Sequence, residues 1–192
     1  MKKFRQLSCC LLLLVIFLTG LFPYSIQDAF AATVTLASGA IYTGEVAIND
    51  VPNGKGEVYW PDGSSYTGEF FKGMLHGKGI FHYTNGDVYN GDFEYGYRSG
   101  EGKMIFANWD SYEGEWQADM MHGKGNYTFY APDKSNPTKN DVYSGEWRYN
   151  MMHGKGSYKF ANGKKTNGYW VKNTFRGAKL TSTLKKEIGE LD

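Results

Sequence analysis

Apolar and polar residues alternate along most of the chain in short runs that turn-forming dipeptides separate. The runs Ile80-Phe81-His82-Tyr83 and Asp87-Val88-Tyr89, for example, are rich in aromatic and β-branched residues, and Thr84-Asn85-Gly86 lies between them. Two such runs on either side of an Asn-Gly or Asp-Gly pair predict a β-hairpin. The pattern therefore predicts a chain built mainly from short antiparallel strands.

Related turn signals recur along the chain, with two exceptions. They occur at Asp62-Gly63, Asn162-Gly163 and, less clearly, Ser38-Gly39. In one copy Asn108-Trp109 replaces the glycine, so we expect a strained turn or a turn of another type, because bulky residues disfavour positive φ. In another copy residues 131–140 replace the turn, and we expect this insertion to be the longest exposed loop.

A five-residue pattern, Tyr-x-Gly-acidic-apolar, recurs in register. Its central glycines are separated by steps of 24, 23, 23, 31 and 23 residues, the last copy being the worn Thr166-Asn167-Gly168-Tyr169-Trp170. The central glycines are Gly44, Gly68, Gly91, Gly114, Gly145 and Gly168. A Gly-x-Gly pair follows in each copy except the last, where Gly177-Ala178-Lys179 stands. A period of this kind is typical of a repeat array.

The Tyr-x-Gly-Glu-Trp and His-Gly-Lys-Gly strings at a period of 23 residues resemble the MORN repeat, over residues 33–178 and about six copies. The resemblance implies an all-β fold, a single-layer elongated antiparallel sheet of stacked β-hairpins. It also implies a groove on the ring-bearing face and glycines in the tight turns between hairpins. We assign residues 32–179 to this array, in which neighbouring hairpins share one apolar layer.

The two ends of the chain differ from the array. Residues 1–31 place Lys2, Lys3 and Arg5 before an apolar run, which is typical of a secretory signal peptide, and small residues favour cleavage between Ala31 and Ala32. The alternative is an uncleaved N-terminal membrane anchor. Residues 180–192 predict either a short capping helix, with Thr181 or Ser182 as N-cap, or a frayed tail.

Composition and charge exclude some classes of function. With 21 Lys+Arg against 20 Asp+Glu, the formal charge of +1 gives no basic field that would favour nucleic acid. Both cysteines, Cys9 and Cys10, lie in the leader, so we expect an array held together without disulfides. An exported or extracytoplasmic protein is the expected localisation, with a membrane-anchored protein as the alternative.

Repeated titratable residues suggest chemistry, but their spacing argues against it. One repeat advances two strands, or roughly 9.6 Å, so His76, His122 and His153 lie too far apart to share a metal ion. We expect each to pack or to hydrogen-bond within its own turn. The acids at equivalent positions have the same neighbours in every copy, which predicts a structural role such as binding backbone N–H groups. These acids are Glu45, Glu69, Asp92, Glu115 and Glu146.

The sequence predicts a non-enzymatic binding or scaffolding protein with a protein partner, no catalytic residue, no cofactor and no metal. Its candidate contact surface is the exposed part of the aromatic face, although the same rings could form the core of the sheet. The rings are Tyr66, Tyr89, Tyr112, Tyr143, Trp116 and Trp147. The alternative function is binding of anionic phospholipid through lysines in the repeat loops, and an open sheet edge could support a homodimer. The lysines are Lys55, Lys78, Lys124 and Lys155.

Overall fold

The computed structural model of the protein describes residues 30–131 and 139–189. It contains thirteen β-strands, a short 3-10 turn at Ile48–Asp50 and one helix. The elements are β1 (Phe30–Thr35), β2 (Ile41–Val46), β3 (Pro52–Tyr59), β4 (Ser65–Phe71), β5 (Met74–His82), β6 (Val88–Glu94), β7 (Tyr97–Ile105), β8 (Ser111–Gln117), β9 (Met120–Phe129), β10 (Asp141–Arg148), β11 (Met151–Lys159), β12 (Lys165–Val171), β13 (Thr174–Gly177) and α1 (Ser182–Gly189).

The strands form one open antiparallel sheet in which every strand lies beside its neighbours in sequence, from β1 to β13. Each strand from β2 to β12 therefore pairs with the strand before it and the strand after it, as expected for stacked hairpins. The fold class predicted from the sequence is confirmed. The strands β1 and β13 form the two edges of this sheet.

The turns with Asn-Gly or Asp-Gly signals lie where the sequence predicts them. In the turn after β3, the Gly63 N–H donates to Trp60 O at 3.0 Å, and the turns after β5 and β11 repeat this bond. Trp109 takes the place of the glycine after β7: its N–H donates to Phe106 O at 2.8 Å, and its φ is +69°. The turn thus keeps its type, and a bulky residue in left-handed conformation carries the strain that the sequence predicted.

The turns between the repeats do not lie at the Gly-x-Gly pairs. The prediction that these glycines form the tight turns between hairpins is therefore wrong. The chain reverses some residues earlier, in two-residue turns with positive φ at both positions, such as Lys72-Gly73 and Tyr149-Asn150. Positive φ at both positions matches the right-handed twist of the flanking strands. The pairs themselves lie inside the longer strands, as Gly77 and Gly79 do in β5.

In those strands the Gly-x-Gly pairs form a bulge. On one side Gly68 pairs with Gly79 but Glu69 pairs with His76, so Gly77 and Lys78 are extra residues in β5. Gly77 has a φ of +56°, which glycine adopts at little cost. The second glycines of the pairs join the central glycines of the repeats in one row across the sheet. The row is Gly44, Gly56, Gly68, Gly79, Gly91, Gly102, Gly114, Gly125, Gly145, Gly156 and Gly168.

The core lies on one face of the sheet, above this glycine row. A Cβ built on Gly79 would overlap the Tyr66 ring, so the ring lies directly against the backbone. Tyr66, Tyr89, Tyr112 and Tyr143 each meet a Phe or Trp edge-to-face on both sides, as Tyr112 meets Trp116 at 5.2 Å and Trp147 at 5.3 Å. Tyr42, at the start, meets Phe70 on one side. The same contacts continue from Tyr42 to Trp170 as one ladder of rings, which we call the aromatic ladder. This arrangement explains how a single-layer sheet buries a core.

The C-terminal end has the predicted capping helix. The N–H of Leu184 donates to Thr181 Oγ1 at 3.1 Å, which makes Thr181 the N-cap of α1. Leu184 is buried, and the Ile188 carbonyl of the last turn accepts a hydrogen bond from Arg148. The prediction of a helix instead of a frayed tail is confirmed for residues 182–189.

Two predicted segments fall wholly or mostly outside the described residues. Of the predicted leader, residues 1–29 lie outside the described residues, and its last two residues belong to the strand β1, which begins at Phe30. The predicted cleavage bond, between Ala31 and Ala32, therefore lies within β1, where Ala32 pairs with Gly44. Most of the inserted loop is also outside the description, but Ala131 N–H donates to Asn140 Oδ1 at its base.

Candidate functional site

The six rings proposed as a contact surface are part of the core. Tyr66, Tyr89, Tyr112 and Tyr143 are 0% exposed, and Trp116 and Trp147 are 5% and 6% exposed. The reason is the glycine row, which lets each tyrosine lie flat on the backbone while its neighbours in the ladder cover it. Of the two interpretations that the sequence left open, the structure places these rings in the core, so they offer almost no surface for contact with another molecule.

The polar ends of the ladder are satisfied inside the sheet. The Tyr112 hydroxyl donates to Glu115 O at 2.8 Å, and Trp147 Nε1–H donates to Gly125 O at 3.2 Å. Burial raises the pKa of Tyr42 to about 12, and it likewise raises the pKa values of Tyr66 and Tyr143. These phenols are therefore neutral hydrogen-bond donors at neutral pH. Burial in the core explains their raised pKa values, which do not point to an acid–base pair.

A second line of rings on the same face stays half-exposed, nearer the long turns. Tyr127 contacts Phe106 at 5.8 Å and Phe129 at 4.6 Å, so the line continues from strand to strand. We call this line the outer ring strip. It consists of Trp60, Phe81, Tyr83, Phe106, Tyr127, Phe129, Tyr158 and Phe160. The repeated aromatic residues in the first strand of each hairpin signal the strip in the sequence, but not which rings stay accessible.

Arg98 interrupts the apolar character of the ring-bearing face. It takes the place that Leu75 and Met121 occupy in other repeats, and its guanidinium lies 4.5 Å from the Trp116 ring and 5.9 Å from the Tyr83 ring. Its Nε–H donates to Asp119 Oδ1 at 3.0 Å, which anchors the side chain to the next turn. The result is one fixed positive charge beside the outer ring strip, where cation–π contact favours it.

The four predicted lipid-facing lysines do share one exposed face, the face opposite the rings, which we call the lysine face. Each lies between the two glycines of a pair, so its side chain points away from the aromatic ladder. An acidic residue lies directly opposite two of these lysines on the neighbouring strand: Lys55 pairs with Glu69, and Lys124 pairs with Glu146. Lys78 Nζ lies 2.7 Å from Asp92 Oδ1. The fourth lysine, Lys155, is exposed like the others.

The repeated acids bind backbone N–H groups, as the sequence predicted. The N–H of Lys124 donates to Glu115 Oε1 at 2.7 Å, and the N–H of Lys155 donates to Glu146 Oε2 at 2.9 Å. Each carboxylate occupies the space beside the first glycine of the pair, where a Cβ would collide with it. The acids therefore hold the bulge closed, and their role is structural.

The lysine face carries two shallow cavities. One, of about 590 Å³, is lined by side chains of both signs, among them Glu113, Glu146 and Lys155. The other, of about 540 Å³, is lined by Thr43, Lys55, Glu57 and Lys78 with others. Because acids and lysines alternate along both, neither cavity concentrates one charge.

The three loop histidines lie in strands. Among the residues that the structure describes, His153 is hydrogen-bonded to Ile188 O at 2.9 Å. His76 packs against the rings of Phe71 and Tyr95, and His122 packs on Tyr149. Within residues 30–131 and 139–189, no three His, Cys, Asp or Glu side chains converge in a way that could hold a metal ion. No helix of the described chain is long and apolar enough to span a bilayer.

The fold and the arrangement of rings, glycines and bulges define a β-hairpin repeat protein of the binding or scaffold type. The family model of the MORN repeat matches residues 42–65, 66–88, 89–111, 112–130 and 143–165, which is more than half of the chain. The chain belongs to the MORN-repeat family, whose all-β repeats are of a non-catalytic type. The matched copies number five instead of the six predicted; the sixth copy forms β12 of the same sheet.

Other comparisons add little. A solved structure with some likeness is the SAS-4 (dCPAP) TCP domain in complex with a proline-rich motif of Ana2 (dSTIL) of Drosophila melanogaster. It is 12% identical and the match covers 78% of this chain and 97% of that chain, with a TM-score of 0.30. A likeness of this size carries no argument about function. A search of curated protein sequences finds no match.

Proposed function

We propose that the protein is an exported scaffold without enzymatic activity that binds a protein partner along the outer ring strip. The observation that carries the proposal is the strip itself. Its partly exposed rings contact one another in two runs, Trp60 to Tyr83 and Phe106 to Phe160, beside a ladder that fixes their positions. Tyr158 contacts Phe129 at 5.8 Å and Phe160 at 4.8 Å, so the strip reaches the last repeats. Rigid aromatic side chains of this kind dominate the energetics of protein interfaces.

The lysine face supports the phospholipid alternative less well. Its lysines are exposed and lie in a row, which favours anionic head groups. However, acids alternate with them, and Glu101 replaces the lysine in one repeat and lies opposite Glu115. The attraction between this face and an anionic membrane is therefore largely cancelled within the face.

Site-specific crosslinking tests the proposal. A photoreactive phenylalanine analogue replaces Tyr83 in the outer ring strip, and a matched variant carries it at Tyr59, which is 55% exposed on the opposite face. Both are expressed in the native compartment. We expect one protein to be captured from position 83 and not from position 59.

Two further readings complete the experiment. The intact mass of the bait reports its N-terminus: Ala32 supports export with cleavage, and Met1 contradicts it. Flotation of the protein with anionic vesicles at low and at physiological salt tests the alternative. Equal capture from both positions, or vesicle binding without protein capture, would contradict the proposed function.

A further inference from the structure

Each repeat has one residue directly before the first glycine of its pair, or before Gly177 in the last repeat. We call these equivalent residues the donor row. They lie near the two-residue turns, at the other end of the strands from the outer ring strip. The donor row consists of Asn53, His76, Ser99, His122, His153 and Arg176. Its members differ in chemistry, so the row is not needed for the fold in the way that the glycines are.

The chain's own helix α1 contacts the last two members of the row and buries the first of them, His153. His153 Nε2 lies 2.9 Å from the Ile188 carbonyl oxygen, and Arg176 Nη2 lies 2.8 Å from Glu187 Oε2. The N–H of Lys172, in the next turn, points to His153 Nδ1 at 3.5 Å. Nδ1 is thus the acceptor, and Nε2–H donates to a carbonyl that the end of a helix leaves unpaired. Under this helix, His153 is only 3% exposed.

Two other histidines of the donor row, His76 and His122, have no helix over them among the described residues, and no N–H of the next turn donates to their Nδ1. His76 and His122 have a buried Nδ1 without a hydrogen-bond partner among the described residues. The turn residues equivalent to Lys172 are Tyr95 and Tyr149, and their rings lie 5.4 Å from His76 and 5.8 Å from His122. Both histidines are partly exposed, whereas His153 is buried. Because Nδ1 is buried, Nε2 is the ring nitrogen that remains for a hydrogen bond to a ligand.

The surroundings of His76 are unusually apolar for a surface. Phe71 is 37% exposed, Met74 39%, Tyr95 52% and Tyr97 58%. The rings of Phe71 and Tyr95 lie 5.5 Å and 5.4 Å from the imidazole and 6.5 Å from each other, so the three rings form one cluster. Exposed apolar residues grouped around a partly exposed imidazole mark an interaction surface.

We infer that His76 and His122 are additional docking sites for the C-terminal end of a short amphipathic helix of a partner protein, equivalent to the site that α1 fills at His153. In each site Nε2–H would donate to a last-turn carbonyl, and an apolar residue of the helix would pack on the neighbouring rings. The negative end of the helix dipole also favours a donor there. This inference rests on the proposed protein-binding function but concerns a different surface.

The chain itself supplies the probe, a synthetic peptide of residues 178–192 that contains the sequence of α1. The full-length chain, labelled at histidine with nitrogen-15, is titrated with this peptide and followed by the imidazole resonances. We expect saturable shifts at His76 and His122. We expect none at His82, which is exposed but outside the donor row, and none at His153, which α1 already covers.

Two variants distinguish specific binding of the peptide at His76 from nonspecific binding to the protein surface. His76→Ala is expected to weaken peptide binding at its site about tenfold, as the loss of one hydrogen bond and its ring packing would. His82→Ala is the matched control and should leave the affinity unchanged. No shift at His76 or His122 up to millimolar peptide, or equal shifts at His82, would overturn the inference. Capture from position 83 in the crosslinking experiment would survive that result, so the two proposals fail separately.

Discussion

Side chains of two neighbouring strands, β8 and β9, differ completely in burial according to the face of the sheet on which they lie. On the ring-bearing face Tyr112 is completely buried between Trp116 and Trp147, although no second layer of secondary structure covers it. On the lysine face Lys124 lies exposed beside the glycine on which the Tyr112 ring packs. The comparison teaches that the glycine row, by bringing rings against the backbone, allows one face to serve as the whole core.

The largest expected effect comes from filling the glycine row. Gly79→Ala would place a methyl group inside the Tyr66 ring, which cannot move because Phe70 and Phe93 pack against its sides. We expect a loss of about 4 kcal/mol or more in the free energy of unfolding, measured by urea denaturation.

Gly63→Ala is the matched control for that substitution. Gly63 has a φ of +93° and open space around its missing Cβ, so its substitution costs only backbone strain, about 1 kcal/mol. Similar losses for the two variants would show that the close contact between ring and glycine is not what builds the core.

The second prediction removes one ring of the aromatic ladder. Trp116→Ala would leave a cavity between Tyr89 and Tyr112, and it should cost about 3–5 kcal/mol in urea denaturation. Trp109→Ala, at a 69% exposed position, is expected to change the stability by less than about 0.5 kcal/mol. If the Trp116→Ala protein were folded and as stable as the unchanged protein, Trp116 would not be a core residue and would again be a candidate binding residue.

The third prediction concerns alkaline pH, which acts on the same face. Burial raises the pKa of Tyr42 to about 12, and burial followed by the hydrogen bond to Asp141 raises that of Tyr158 to about 12. An unfolded tyrosine titrates near pH 10, so the folded state holds protons that the unfolded state has lost. The contribution to stability is complete below about pH 10 and is lost as the pH rises towards 12.

Urea midpoints measured from pH 8 to pH 12, with tyrosinate absorbance as the second signal, would check this dependence. A flat urea midpoint between pH 10 and pH 12 would contradict the burial of the phenols.

The fourth prediction weakens the bulges from the lysine face. Glu115→Ala removes the acceptor for the Lys124 N–H and should cost about 1–3 kcal/mol. Glu113→Ala, two residues earlier, only breaks an exposed ion pair with Lys103 and should cost less than about 1 kcal/mol. Thermal unfolding of both variants checks the difference, and equal melting temperatures would show that the acids do not hold the bulge.

The sequence was sufficient for the repeat, the all-β class and the capping helix because each depends on local patterns. Alternation and Asn-Gly turns fix hairpins, and Thr181 fixes a helix start. It was not sufficient to place the turns between repeats. Tyr149-Asn150 and Ala118-Asp119 turn at positive φ without any glycine, whereas the conspicuous Gly-x-Gly pairs form bulges.

The contact surface was the harder part of the site to predict. Tyr66 and Phe81 both belong to apolar runs, yet Tyr66 is fully buried and Phe81 is half-exposed. The difference depends on which ring packs on the glycines of two neighbouring strands, as Tyr66 packs on Gly68 and Gly79. Predicting this requires knowing how the two strands are aligned in the sheet. The role of the acids, in contrast, was predictable, since equivalent residues in every copy point to a structural task.

The smallest expected effect lies at the centre of the lysine face. Lys78→Ala breaks the 2.7 Å ion pair with Asp92, but the lysine side chain is 68% exposed, so water and salt already screen the attraction. We expect a change of less than about 1 kcal/mol in urea denaturation, decreasing further in molar salt. Asp92→Asn should cost more than Lys78→Ala, because Asp92 Oδ2 also accepts the Glu101 N–H at 3.0 Å. If removing the lysine cost as much as removing a ladder ring, the lysine face would share in the core, and the division between the two faces would not hold.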